Sequence, residues 1–160
     1  MSIGMKTNIR SAVSNDIPYL INLHEIEYNL YQAKDVFSPD ITEKYIHTMM
    51  IDPDAVLMVI TDFNQIPFGY LAGTIDHITL SLFPVAISHH WFVNNPKSRY
   101  GRGNYGLHLL QAFEKWAKLR GALHTMIGIR QKAGERKTYD KTFNKMGYVP
   151  STMYYKKRIQ

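Results

Sequence analysis

Apolar positions along the chain change period several times, and each change predicts a new element. Thr7 to Val13 alternates at a period of two, with Ile9, Ser11 and Val13 set against Arg10 and Ala12, which predicts a first strand. The period then lengthens. Ile17, Leu20, Leu23, Ile26 and Leu30 fall on one helical stripe, behind a Ser14 or Asn15 cap, with Asp16 in the first turn and Pro18 where a missing N–H costs least. Ser38-Pro39 repeats the cap-plus-proline signal and opens a second helix through about Met50, with Ile41, Tyr45, Ile46 and Met49 inward; Tyr31 to Phe37 connects the two.

Ala55 to Thr61 is an almost unbroken apolar run, the pattern of a strand buried on both faces. Asp62-Phe63-Asn64-Gln65 turns it into a long third strand, Phe68 to Leu80, and so short a link requires an antiparallel hairpin. Val85 to Val93 is a fourth strand, rich in β-branched and aromatic residues. Leu109, Leu110, Phe113, Trp116 and Ala117 then recur at helical spacing, Gly121 is placed as the C-cap, and Leu123 to Arg130 reads as a fifth strand. A strand, a helix and another strand in that order predict a parallel pair joined by a right-handed crossover. Glu135 to Met146, stopped by Gly147, is the last helix, and Thr152 to Arg158 the closing strand. The order β-α-α-β-β-β-α-β-α-β makes an α/β fold with a mixed sheet in a single domain, residues 1–160, without internal repeats.

Composition narrows the chemistry. The sequence has no cysteine, which removes disulfides, thiol nucleophiles and cysteine-ligated metals. Neither a signal peptide pattern nor a run of 18 apolar residues occurs, so the expected compartment is cytoplasmic, away from membranes. The net charge of +6 is unevenly placed: residues 130–160 carry 9 Lys+Arg against 2 Asp+Glu, and residues 1–129 carry 10 against 11. Such a basic end attracts acidic partners by long-range steering, although no nucleic-acid-binding motif accompanies it. The seven histidines make no HxxxH or HExxH cluster, so no metal site is expected, and no GxSxG elbow supports a serine hydrolase.

The stretch Arg99-Tyr100-Gly101-Arg102-Gly103-Asn104-Tyr105-Gly106 reads as a Gly- and Arg-rich turn between the fourth strand and the next helix. Unpaired N–H groups and the positive end of the helix dipole stabilise an anion there. No GxxxxGK[ST] loop is present, and no GxGxxG is followed about twenty residues later by an acidic residue on a second strand, which argues against ATP and dinucleotides. Val93 and Pro96 at the strand exit, Gly106-Leu107-His108-Leu109-Leu110 at the helix entry and Phe143-Asn144-Lys145-Met146-Gly147-Tyr148 later on resemble the GNAT superfamily of acyl-CoA-dependent N-acetyltransferases. Two departures stand out. Asn104 takes the place of the family's first loop glycine, a change that asparagine tolerates better than other side chains. Phe143 takes the place of the tyrosine that many members use to protonate the departing thiolate.

The resemblance implies acetyl-CoA as co-substrate, lying between fourth and fifth strands that splay apart. It also implies a polarising N–H near Phe92 or Val93 and a pyrophosphate held by the amides of Arg102, Gly103, Asn104, Tyr105 and Gly106, with Arg99 and Arg102 adding charge. Phe143 would border the cofactor. For the base, His89 and His90 are adjacent on a strand, so alternation turns them to opposite faces and one toward the acceptor. Glu25 and Glu27 lie on the helix that resembles the acceptor wall, and Tyr139, one turn before Phe143, is the candidate acid.

The resemblance therefore implies acetyl transfer to the primary amine of a small molecule or protein, by direct attack. The excess of acidic residues in residues 1–62, 9 against 4 basic, fits a cationic acceptor. Phe143 and the altered loop motivate the alternative, a GNAT-fold binding module for a protein or RNA at the basic C-terminal end. A homodimer through the sheet edge is common in the family.

Overall fold

Among the described residues, five strands pair in chain order: β1 (Asn8–Ser11), β2 (Ala55–Thr61), β3 (Pro67–Asp76), β4 (Val85–Val93) and β5 (His124–Ile127). The first three pairings are antiparallel and β4 with β5 is parallel, which is the mixed sheet the element order predicts. The computed structural model describes residues 8–31, 36–77, 82–94, 101–128, 141 and 143–150, with residues 101–104 described by backbone alone.

Two helices cover one face. α1 (Ile17–Tyr31) and α2 (Pro39–Ile51) bury Ile17, Leu20, Leu23, Ile46 and Met49 against Leu57, Val59, Tyr70, Ala72 and Phe92 of the sheet. A short 3-10 turn, Ser14–Asp16, leads into α1, and the predicted Ser14 or Asn15 cap is replaced by a device from within the turn. Asp16 accepts the Val13 N–H at 2.8 Å and both guanidinium nitrogens of Arg10 at 2.6 and 2.9 Å. Burial opposes ionisation of that carboxyl, but these hydrogen bonds outweigh it and hold Asp16 below the usual carboxylate range. Ser38 caps α2 as predicted, its Oγ accepting the Ile41 N–H at 3.4 Å. Ile41 itself is exposed.

α3 (Gly101–Leu119) covers the other face. Leu109, Leu110, Phe113 and Ala117 are buried under it, and the helix comes so close that a Cβ on Gly73 of β3 would lie 2.6 Å from the Phe113 ring. Gly73 alternates with Ala72 of the α1/α2 core, so the two helical layers occupy opposite sides. α3 ends at Gly121, φ +77, the predicted C-cap, with the Ala122 N–H returning to Ala117 at 3.0 Å.

Several boundaries differ from the sequence expectation. β1 is Asn8–Ser11 within the predicted 7–13, β3 ends at Asp76 short of Leu80, and β5 is His124–Ile127 within the predicted 123–130. α3 starts at Gly101, so the predicted turn through Gly106 is already helix; three glycines lower helix propensity there without preventing it.

The chain divides into two compact units, Met1–Ile129 and Arg130–Gln160. Everything above belongs to the first. In the second, the end of the predicted last helix is seen at residues 143–145, closed by Gly147 at φ +85 with the Tyr148 N–H donating to the Phe143 carbonyl at 2.9 Å. The start of that helix and the predicted closing strand lie outside the described residues.

Candidate active site

β4 carries an extra residue. Ala72 of β3 faces His90 and the next residue, Gly73, faces Ser88, so His89 has no partner of its own and forms a β-bulge. The bulge overturns the expectation that His89 and His90 point to opposite faces. His90 stands opposite Ala72, on the α1/α2 side. His89 Nε2 lies 2.7 Å from Oγ1 of Thr74, which shares the Ala72 side by alternation, so both imidazoles belong to that face.

Parallel pairing of β4 with β5 runs from Val85 opposite His124 to Ser88 opposite Ile127, and residues 89–93 of β4 continue without a β5 partner among the described residues. The Asn94 N–H donates to Phe68 of β3 at 2.8 Å. Strand alternation then turns the Phe92 N–H toward β3 and the Val93 N–H away from it. Of the two amides named from the sequence, Val93 is the one that does not point into the β3 ladder.

Beside the open stretch of β4 lies the amino end of α3. Trp91 donates its indole N–H to the Gly106 carbonyl at 3.0 Å, and a Cβ on Gly106 would meet the Trp91 ring at 2.9 Å. Tyr105 packs edge-on against Phe68 at 5.2 Å between ring centres. Arg102, Gly103 and Asn104 lie in the first turn of α3, where backbone N–H groups have no partner within the helix itself. Gly106 is there because only glycine admits the indole.

On the α1/α2 face a buried polar cluster adjoins the bulge. Tyr70 of β3 donates its hydroxyl to Glu27 Oε2 of α1 in a short hydrogen bond. His90 Nδ1 lies 3.4 Å from the same oxygen. His24 stacks on Tyr70 at 4.2 Å and lies 5.3 Å from the His90 ring, while Tyr45 of α2 meets His90 edge-on at 5.5 Å. Glu27 is 4% exposed, so a carboxyl group sits inside the layer, where only hydrogen-bonding partners make it tolerable.

His89, by contrast, is exposed at the rim. Partial burial first, and the neighbouring His90 second, push its imidazole below the ordinary 6.5, with Asp76 pulling the other way. It is therefore mostly neutral at pH 7.

The remaining sequence candidates separate. Glu25 is exposed and outside the cluster; Glu27, two residues on, occupies the buried position. The α1 stripe held the signal: Leu20, Leu23 and Glu27 fall at helical spacing, so a carboxylate continued the core face. His24 and Tyr70 were not singled out by the sequence at all. Phe143 lies in the second unit, edge-on to Tyr148 at 5.3 Å. Arg99 and Tyr139 lie outside the described residues. Among the described residues no group of three or more His, Cys, Asp or Glu forms a metal-holding set, and no helix is long and apolar enough to cross a membrane.

No protein-family model matches the chain, and no curated protein matches it by sequence. Solved structures do match by shape. The aminoglycoside N-acetyltransferase AAC(6')-Iy in complex with CoA superposes with a TM-score of 0.73 at 15% identity, covering 99% of each chain. An aminoglycoside acetyltransferase from an uncultured soil metagenomic sample, in complex with sisomicin, gives 0.71 at 15% identity over 96% of this chain and 97% of that one. A transcriptional regulator from Bacillus halodurans gives 0.71 at 16% identity, covering 96% and 99%. The chain therefore has the fold of the GNAT acetyltransferases, as the sequence resemblance implied.

Proposed function

We propose that the chain is an N-acetyltransferase that moves an acetyl group from acetyl-CoA to a primary amine by direct attack. The amino end of α3 held beside β4 is the observation that carries this reading. The Trp91 indole ties that helix end to the strand, which gives the pyrophosphate of a thioester an anion seat next to β4. The backbone N–H groups of Arg102, Gly103, Asn104, Tyr105 and Gly106 would hold the pyrophosphate, with Arg99 and Arg102 adding charge. The Val93 N–H would polarise the thioester carbonyl.

The amine nitrogen then bonds to the carbonyl carbon, the C–S bond breaks with its electron pair on sulfur, and the amine proton passes to an imidazole. The thiolate then takes a proton from solvent. One structure with this fold holds sisomicin, and the acidic excess in residues 1–62 of this chain, 9 against 4 basic, fits a cationic amine of that kind.

A fold hosts more than one function, as the regulator with the same fold illustrates, and Phe143 keeps a binding-module reading alive beside the enzymatic one. Thermal unfolding with acetyl-CoA separates them. A ligand at 100 times its Kd adds about 2.7 kcal/mol, and each kcal/mol raises the midpoint of a chain this long by about 2–4 °C. We expect a rise of about 5–10 °C, with thiol release when an amine is added. No rise at millimolar acetyl-CoA would sink the transferase.

A further inference from the structure

The bulge and the buried cluster meet at one side chain. His90 follows directly on the bulged His89 and stands opposite Ala72, on the α1/α2 face. Its Nδ1 is buried, lies 3.4 Å from Glu27 Oε2 and has no hydrogen-bond partner among the described residues. Its side chain as a whole is 21% exposed, so the open part is the rest of the ring. A buried ring nitrogen whose near neighbour is a carboxylate keeps its proton, and that fixes the other nitrogen as the lone-pair site. Contacts of this kind are often long in a free protein and tighten when substrate is bound.

From this we infer that Glu27 is the positioning carboxylate of a Glu27–His90 pair, in which His90 Nε2 is the proton acceptor of the reaction. Tyr70 acts behind it, its hydroxyl hydrogen bond to Oε2 holding the carboxylate in place. His89 is the poorer candidate because its Nε2 is already engaged by Thr74 at 2.7 Å. The assignment rests on the acyl-transfer reading and adds the proton path. As the amine nitrogen bonds to the thioester carbon, its proton goes to His90 Nε2, the imidazolium so formed is stabilised by Glu27, and the thiolate leaves with the electron pair of the C–S bond. His24, Tyr45, Tyr70, His89 and Asp76 are the other titratable groups around the pair.

Two measurements on the full chain test it. Heteronuclear NMR of the imidazole nitrogens, with His90 assigned through a His90→Gln variant, should find His90 as the Nδ1–H tautomer, and Glu27→Gln should shift it toward Nε2–H. This arm needs no acceptor. In turnover with acetyl-CoA and sisomicin, Glu27→Gln should lower kcat roughly 10²-fold with KM for acetyl-CoA unchanged, and Glu27→Asp should restore part of the loss. The Glu27→Gln/His90→Gln double variant should fall no further than His90→Gln alone, as expected of groups acting as a unit. An Nε2–H tautomer in the wild type overturns the pair. So does a Glu27→Gln variant that melts earlier but keeps its kcat, which is the mark of a structural carboxylate. Failure of the wild type to bind acetyl-CoA overturns the acyl-transfer reading itself, a result read from the wild type alone.

Discussion

The two faces of the sheet are built on opposite terms. Under α3 the layer is dry, built mainly of apolar groups: Leu109, Leu110, Phe113 and Ala117 close on Gly73 with no room for a methyl group, and at the amino end the Trp91 indole donates to the Gly106 carbonyl. Under α1 and α2 a carboxylate, two imidazoles and two phenol rings share the interior with Leu20, Leu23 and Ile46. Close packing fixes geometry at little electrostatic cost, whereas buried polar groups are stable only as a satisfied set. The dry face thus supplies a rigid mount for the helix end, and the polar face supplies groups that can exchange a proton.

That contrast can be broken most severely from the dry side. Phe113→Ala removes a fully buried ring that nothing nearby can replace and should cost about 3–5 kcal/mol of stability, measured by denaturant unfolding. Tyr70→Phe probes the polar side with almost no change in volume. It takes one donor from Glu27 and should cost about 1–3 kcal/mol while leaving acetyl-CoA binding intact, since the proposed cofactor seat is on α3.

The smallest effect is electrostatic. His89 is held below its ordinary 6.5 in the folded state, so the folded chain binds fewer protons there than the unfolded chain. The stability this contributes is complete above that value and is lost as pH falls below it toward the folded-state value. Melting curves at pH 7 and pH 5 should therefore show a slightly larger acid loss in the wild type than in His89→Gln.

Most of the scaffold was legible because periodicity is a local signal. The stripe of α1, the Ser38-Pro39 start of α2, the β2–β3 hairpin and the Gly121 cap each follow from residues within one element. What escaped depends on neighbours that one strand does not announce. The bulge exists only in the pairing of β3 with β4, so simple alternation gave His89 and His90 the wrong relation. Glu27 and Glu25 look alike on a helix of polar and apolar residues until Tyr70, 43 positions away, takes the hydrogen bond. The start of α3 was obscured for a different reason: Gly106, which reads as part of a turn, is there to let Trp91 approach.

The single unpaired residue at His89 also has a meaning for the length of the strand. Ser88 and His90 would keep their partners, Gly73 and Ala72, if it were deleted, and the ladder between β3 and β4 would close without interruption. An aligned relative with an unbulged strand should therefore show a one-residue gap at this position and its downstream residues in register. Such a chain would keep the His90 equivalent on the same face, lose the histidine beside it, and lose the local twist that accompanies the bulge.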